Sequence, residues 1–401
     1  MLPLDGFTAL HDPLQARVLL LDSKGTRIAL AVIDLTSIGG ETVTAFKAIV
    51  AETTQTDPAN VWIVASHTFS APHVFGGRGT AEAGSARYKA AVEAALRQAS
   101  AEAARSAQPA QIAFASGISD ANVNRNVPMA DGWWLGANDA GPSDKAVTTL
   151  RIETADKRPI AVLLNYAVQS SVMDQTGGAG GSKGVTSDLG GAAAAHIEKL
   201  LGDGSVALFL TGAAGDQVPD LTAVRNVYDK DGHFARADIG EAGYPLVALQ
   251  GERLAAQALR ATGPAAASAT TLAVVNGAVT LSAQDRPRSL GQIKPSRSYV
   301  YPLQGTSQAP YSLLRIGDVA LVGVQVELNA ATGLEIKRRS PFAQTIIVTM
   351  VNGAAKYMPD ADGYRDITYQ AMNSSYAPGS AEILADRIIT DLRRLRRTKP
   401  R

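Results

Sequence analysis

Short apolar runs alternate with longer stretches of helical spacing along the whole chain. Residues 16–22 (ARVLLLD) and 27–35 (RIALAVIDL) read as two strands joined by Ser23-Lys24-Gly25-Thr26, a turn-type linker. Residues 41–53 have helical spacing. Residues 61–65 (VWIVA) form an apolar run bounded upstream by Asp57-Pro58, the pattern of a buried strand. Residues 80–105, rich in alanine, glutamate and arginine, predict a long surface helix, and 111–116 another strand. From 117 to 145 the periodicity fails, and the stretch reads as a long loop carrying Asn122, Asn124, Arg125, Asn126, Trp133 and Trp134. Residues 147–152 and 160–168 look like paired strands. The segment 169–186 is a glycine-rich loop, and Ser187 or Asp188 caps a helix that runs to about residue 201.

Further strands are predicted at 206–210, 270–282, 311–316, 319–326 and 344–350, with a proline- and arginine-bearing loop over 285–309. Helices are predicted at 239–261, near Glu327 and at 381–395. Strands and helices alternate throughout, so the class is α/β: mixed sheets flanked by helices in one layered domain over 1–401. Short-period repeats and dividing linkers are not apparent.

Composition adds exclusions. With 46% apolar and 19% charged residues, the chain can bury a sizeable core. A net charge of +1 offers no electrostatic footprint for nucleic acid or an anionic membrane. The basic cluster at 393–397 closes the last helix pattern, where it complements the helix dipole. There is no cysteine, which removes disulfides, thiolate metal sites and cysteine nucleophiles together. No apolar run reaches transmembrane length, and Met1-Leu2-Pro3 opens no secretory-leader pattern.

Candidate chemistry sits where strands end. His67, Gln169, Asp216 and Glu327 each follow an apolar run, and residues at strand ends far apart in sequence converge on one cleft in α/β folds. Trp133 and Trp134 would suit a lid over an apolar or sugar-like ligand. Gly180-Gly181-Ser182-Lys183-Gly184 fits G-x-S-x-G, yet a loop rather than a strand precedes it, so the nucleophile elbow lacks its context. Gly178 and Gly180 are equally weak as a phosphate cradle. A zinc site would need nitrogen and oxygen ligands. The five histidines, His11, His67, His73, His196 and His233, make no H-E-x-x-H pair.

Several segments, taken in order, resemble the catalytic domain of the neutral/alkaline ceramidases. Ser66-His67-Thr68-Phe69-Ser70-Ala71-Pro72 resembles the family's S-H-T-H-S-G-P, and Asn122-Val123-Asn124-Arg125-Asn126 its N-x-N-R-S. Tyr166-Ala167-Val168-Gln169-Ser170-Ser171 stands where the family has F-A-V-H-G-T. Thr186-Ser187-Asp188 resembles its I-S-x-D helix start, and the segment 212–219 its N-A-G-D-V-S-P. Arg315-Ile316-Gly317, Glu327, Asn352, Tyr357 and Tyr369 resemble later landmarks. The resemblance implies a ceramidase-like catalytic domain, without the family's C-terminal immunoglobulin-like domain, and export to the periplasm or beyond. It implies hydrolysis of an N-acyl amide by zinc-activated water. The matching zinc ligands are His67, Glu327 and Tyr357, while Arg125 and Tyr369 match the groups that place substrate and stabilise the oxyanion.

The departures fall on the site itself. Gln169 stands in place of the second zinc histidine, Phe69 in place of the second histidine of S-H-T-H, Gln370 in place of a glutamate and Val326 in place of a glycine. A neutral amide oxygen is a poor zinc ligand beside an imidazole nitrogen, so zinc affinity should fall by orders of magnitude unless another group, such as His73, substitutes. Phe69 puts an apolar wall where a polar group stood, and Gln169, Asp216 and the two tryptophans complete the expected substrate pocket. Three readings remain open. The chain is a metal-dependent amide hydrolase with an altered ligand set, a metal-independent acid–base enzyme on the same scaffold, or a non-catalytic binder of a small or lipid-like molecule.

Overall fold

The computed structural model describes residues 2–75, 84–177, 183–202, 204–228, 234–261, 271–287 and 289–397. The G-x-S-x-G serine and His233 lie outside them. Three sheets turn their inner faces toward one shared core. The first is Ala16–Ser23, Thr26–Ile33 and Val61–Ala65, with an antiparallel pair followed by a parallel one. The second orders Val206–Thr211, Pro159–Tyr166, Ala146–Glu153 and Gln111–Ile118. The third orders Leu272–Gln284, Leu303–Ile316, Val319–Val324 and Gln344–Val348. Leu30, Trp62 and Val64 of the first sheet meet Leu150, Leu163 and Leu210 of the second and Leu314, Leu321 and Val348 of the third.

Each sheet buries its other face under helices. Gly40–Thr54 and Ser85–Arg105 cover the first. Asp188–Leu201 and Tyr244–Arg260 cover the second. Ala330–Arg339 and Ser380–Arg397 cover the third. In the last helix Leu384, Ile388, Leu392 and Leu395 recur at helical spacing and are buried, and basic residues close its final turn. The helix Asp188–Leu201 lies close to its sheet because it begins with small residues. A Cβ on Gly190 would stand 2.4 Å from Cδ1 of Phe209 and 2.7 Å from Oγ of Ser170. Among the described residues no helix is long and apolar enough to cross a membrane.

Each sheet contains one parallel pair, and these pairs end side by side. Ile33 pairs with Ala65, Tyr166 with Thr211 and Gly323 with Val348. Polar ties stitch the ends together: Thr211 Oγ1 donates to Ser66 O at 3.1 Å and Thr349 Oγ1 to Gly212 O at 3.0 Å. Asn165 Nδ2 donates to Leu210 O and Ile347 O, both at 2.8 Å, so a buried amide bridges the second and third sheets.

Four expectations are corrected. The expected loop after residue 117 holds a hairpin, Asn122–Met129 with Gly132–Asn138, hydrogen-bonded on its other edge to Gln217–Pro219. Its buried residues are Asn122, Asn124, Arg125 and Asn126 with Val123 as the one apolar member, so no apolar alternation announces it. The 285–309 loop is shorter than expected, because its strand begins at Leu303; that half of the strand is polar and exposed. Glu327 starts a two-residue strand paired with Tyr357–Met358, and the helix begins at Ala330. The second helix starts at Ser85 rather than at 80.

Candidate functional site

The run Val61–Ala65 delivers His67 to the end of its strand with a left-handed backbone, φ 64°. For a non-glycine residue this conformation is uncommon and must be held by its surroundings. The segment that follows the neighbouring strand does so: His67 N donates to Leu35 O at 3.0 Å, and His67 Nδ1 lies 2.7 Å from Thr36 O. A carbonyl only accepts, so Nδ1 carries the proton and Nε2 is the working nitrogen. His67 Nε2 stands 3.1 Å from Oε2 of Glu327.

Glu327 is the hub. Its strand partner Tyr357 arrives through the parallel bridge between the two residues. Gln169, three residues past the end of its strand, donates Nε2 to the same Glu327 oxygen at 3.2 Å and to Ala214 O at 3.0 Å. Burial alone would raise the Glu327 pKa. The proximity of His67, with Lys356 and Arg125 behind it, outweighs that and holds the carboxyl below its usual range. Burial, reinforced by the Glu327 charge, pushes the Tyr357 phenol well above its usual range, so it stays a neutral O–H donor.

Arg125 closes the cluster. Its Nη2 donates to Gly215 O at 2.7 Å and its Nη1 to Gln169 Oε1 at 3.4 Å. The guanidinium lies over the rings of Tyr357 and Tyr369, at 5.2 and 5.6 Å from their centroids. Its Nε is buried and makes no hydrogen bond. Gly215 must be glycine here: a Cβ would stand 2.7 Å from the carbonyl oxygen of Glu327.

The walls are aromatic. Phe69 meets His67 edge-on at 4.8 Å, Tyr357 meets Tyr369 at 5.8 Å, and Trp134 meets Tyr369 at 6.0 Å with planes near perpendicular. His67, Gln169 and Glu327 are buried, while Trp134 and Tyr369 are half-buried and lead outward. Cavities of about 680 Å³ around Arg17 and Tyr244 and about 530 Å³ around Leu4 and Tyr88 lie elsewhere, with none of these site residues in their walls.

Several expected members fall outside the cluster. His73 is half-exposed and pairs through Nδ1 with Asp5 at 2.8 Å, so it does not stand in for the missing histidine. Asp216 is buried in the scaffold beside the cluster. Its carboxylate is spent on Asn124 Nδ2 (2.9 Å), Gln217 Nε2 (3.0 Å) and Ala330 N (2.8 Å), and burial pushes its pKa up to about 6. It acts as a brace, and its backbone carbonyl accepts Arg125 N at 2.8 Å. Trp133 neighbours Trp134 on one strand, so the two side chains leave on opposite faces and only Trp134 meets the site aromatics. Conversely, Thr36 and Ala214 act through backbone carbonyls, which carry no sequence signature. Asn124 was legible only as part of the N-x-N-R resemblance.

No family model matches the chain, and no curated protein matches it in sequence. Solved structures do. A ceramidase complexed with C2 superposes with a TM-score of 0.74 at 16% identity, covering 98% of this chain and 71% of that one. The neutral ceramidase from Pseudomonas aeruginosa superposes with a TM-score of 0.71 at 17% identity and the same coverage. The chain has the neutral ceramidase fold.

A ceramidase-type zinc would sit among His67, Gln169, Glu327 and Tyr357, and the donor set falls short of it. Catalytic zinc takes three protein ligands besides water. Here His67 Nε2 and Glu327 Oε2 are strong donors. Gln169 turns its N–H groups, not its oxygen, toward the carboxylate, so the ligand set lacks a third strong donor beside them. Among the described residues no three histidine, aspartate or glutamate side chains gather in a metal-binding group. The residues present therefore do not fit a catalytic zinc on this ceramidase-like scaffold.

Proposed function

We propose that this protein hydrolyses N-acyl amide bonds in a small or lipid-like substrate. The observation that supports the reading most is the convergence of His67 and Gln169 on one buried carboxylate, Glu327, with Arg125 bonded to the other end of the Gln169 amide, in a chain with the neutral ceramidase fold. Substrate enters past Trp134 and Tyr369, with its apolar part along the aromatic wall. Glu327 takes a proton from water as the water oxygen bonds to the acyl carbon. The carbonyl oxygen becomes an oxyanion, met by the Nε–H of Arg125 and the neutral Tyr357 O–H. The C–N bond then breaks as the proton passes from Glu327 to the leaving nitrogen, releasing amine and acid. His67, fixed by Thr36 O, orients the carboxylate throughout.

The test is a panel of N-acyl amines of increasing acyl length, with free amine and acid measured by mass spectrometry. Release by wild type and none by Glu327→Gln is expected; no release from any member overturns the reading. Burial of His67 and Gln169 to within 3% of full closure favours a second reading, a binder without turnover. That reading gains if panel members raise the melting temperature and are recovered intact.

A further inference from the structure

We propose that Gln169 occupies the functional place of a metal in this site, positioning Glu327 by hydrogen bonding so that the pocket operates without a divalent ion. The inference concerns the chemistry of the pocket proposed above, but does not depend on its substrate.

The orientation of the amide is determined by its partners. Gln169 Nε2 faces two groups that only accept, Ala214 O at 3.0 Å and Glu327 Oε2 at 3.2 Å. Gln169 Oε1 faces a group that only donates, Arg125 Nη1 at 3.4 Å. Rotating the amide to offer its oxygen inward would set that oxygen against two other oxygens and would break all three bonds. Gln169 is buried to 1%, so water does not replace them. What an ion would gain is one neutral carbonyl ligand, weak for zinc.

One oxygen of Glu327, Oε2, is also met without a cation, by His67 Nε2 at 3.1 Å and by Gln169 Nε2 at 3.2 Å. The buried Arg125 guanidinium balances the carboxylate charge nearby, and a divalent ion placed between them would face that guanidinium. Gln169 is thus a positioning residue: it touches neither water nor substrate in the proposed reaction and acts through Glu327.

The test measures metal, not turnover. Wild type and Gln169→His are purified without chelator, analysed for zinc by mass spectrometry, then titrated with zinc and with cobalt(II). Wild type is expected to hold well under one zinc per chain, to show no cobalt d–d absorption and to keep its melting temperature when zinc is added. Gln169→His should bind about one zinc per chain, develop tetrahedral cobalt absorption, and gain at least roughly 100-fold in zinc affinity. About one tightly held zinc in wild type overturns the proposal. So does a folded Gln169→His that gains no affinity. Should that variant fail to fold, Gln169→Glu offers a carboxylate at the same place and is read the same way. Because no substrate is used, a failed amide assay and a failed metal test remain separate results.

Discussion

His67 Nε2 and Glu327 Oε2 meet at 3.1 Å across 260 positions of sequence, with the far side of the imidazole ring tied to the carbonyl of Thr36. One ring nitrogen is thereby committed to the scaffold and the other to the carboxylate. Replacing Glu327 by glutamine keeps the shape and removes the base. Amide turnover is expected to fall by about 100- to 10,000-fold, with the far-ultraviolet circular dichroism unchanged. His67→Ala should lower turnover similarly by freeing the carboxylate. Full activity of either variant would dismiss this pair as the centre of the site.

Arg125 supports a narrower prediction. Lysine keeps the charge but loses the planar fork and the Nε–H that makes no bond in the resting site. Arg125→Lys is expected to lower kcat by about 100- to 1000-fold with a much smaller change in KM, the signature of a donor used in the transition state. A rise in KM at constant kcat would instead assign Arg125 to ground-state binding.

The two tryptophans separate wall from scaffold. Trp134 meets Tyr369 edge-on at 6.0 Å, whereas Trp133 leaves the strand on the other face. Trp134→Ala should raise KM for acyl substrates by roughly 2- to 10-fold, in line with the loss of an aromatic pair. Trp133→Ala should leave KM within about twofold. Equal effects would show that the strand as a whole, not the Trp134 ring, shapes the entrance.

How far the sequence reveals this site depends on which force positions each group. His67 was legible because five buried apolar residues lead into it, and Glu327 because Val319–Val324 does the same. Arg125 and the tyrosines stand out only through resemblance. The strand that carries Arg125 buries Asn122, Asn124 and Asn126, and a strand stabilised by amide networks has no apolar period to read. The roles of Thr36 and Ala214 lie in carbonyls that every residue has. Asp216 shows the ambiguity of such signals, because a buried carboxylate after a strand reads alike whether it serves a ligand or, as here, three donors of its own chain.

Away from the site, Asp391 gives the acid stability of the fold a testable sign. It is buried on the last helix, where the Tyr311 hydroxyl and Arg387 Nε (3.0 Å) donate to Oδ2 and Arg394 Nη1 (2.9 Å) donates to Oδ1. Burial raises its pKa, but the Tyr311 and Arg387 hydrogen bonds and the two guanidinium charges outweigh that and hold it below the ordinary 3.8. Below its unfolded pKa the unfolded chain therefore binds more protons at this position than the native state does. The stabilisation it provides is fully present above the unfolded value and is lost as pH falls through the lowered native one. Asp391→Asn should accordingly cost about 1.5–3 kcal/mol at pH 7, the scale of hydrogen bonds to a charged group. The gap between variant and wild type in urea unfolding should hold at pH 5 and narrow on acidification below about pH 4. A gap that stays constant down to the acid limit would mean that shape rather than charge holds Tyr311 and the two arginines to this helix.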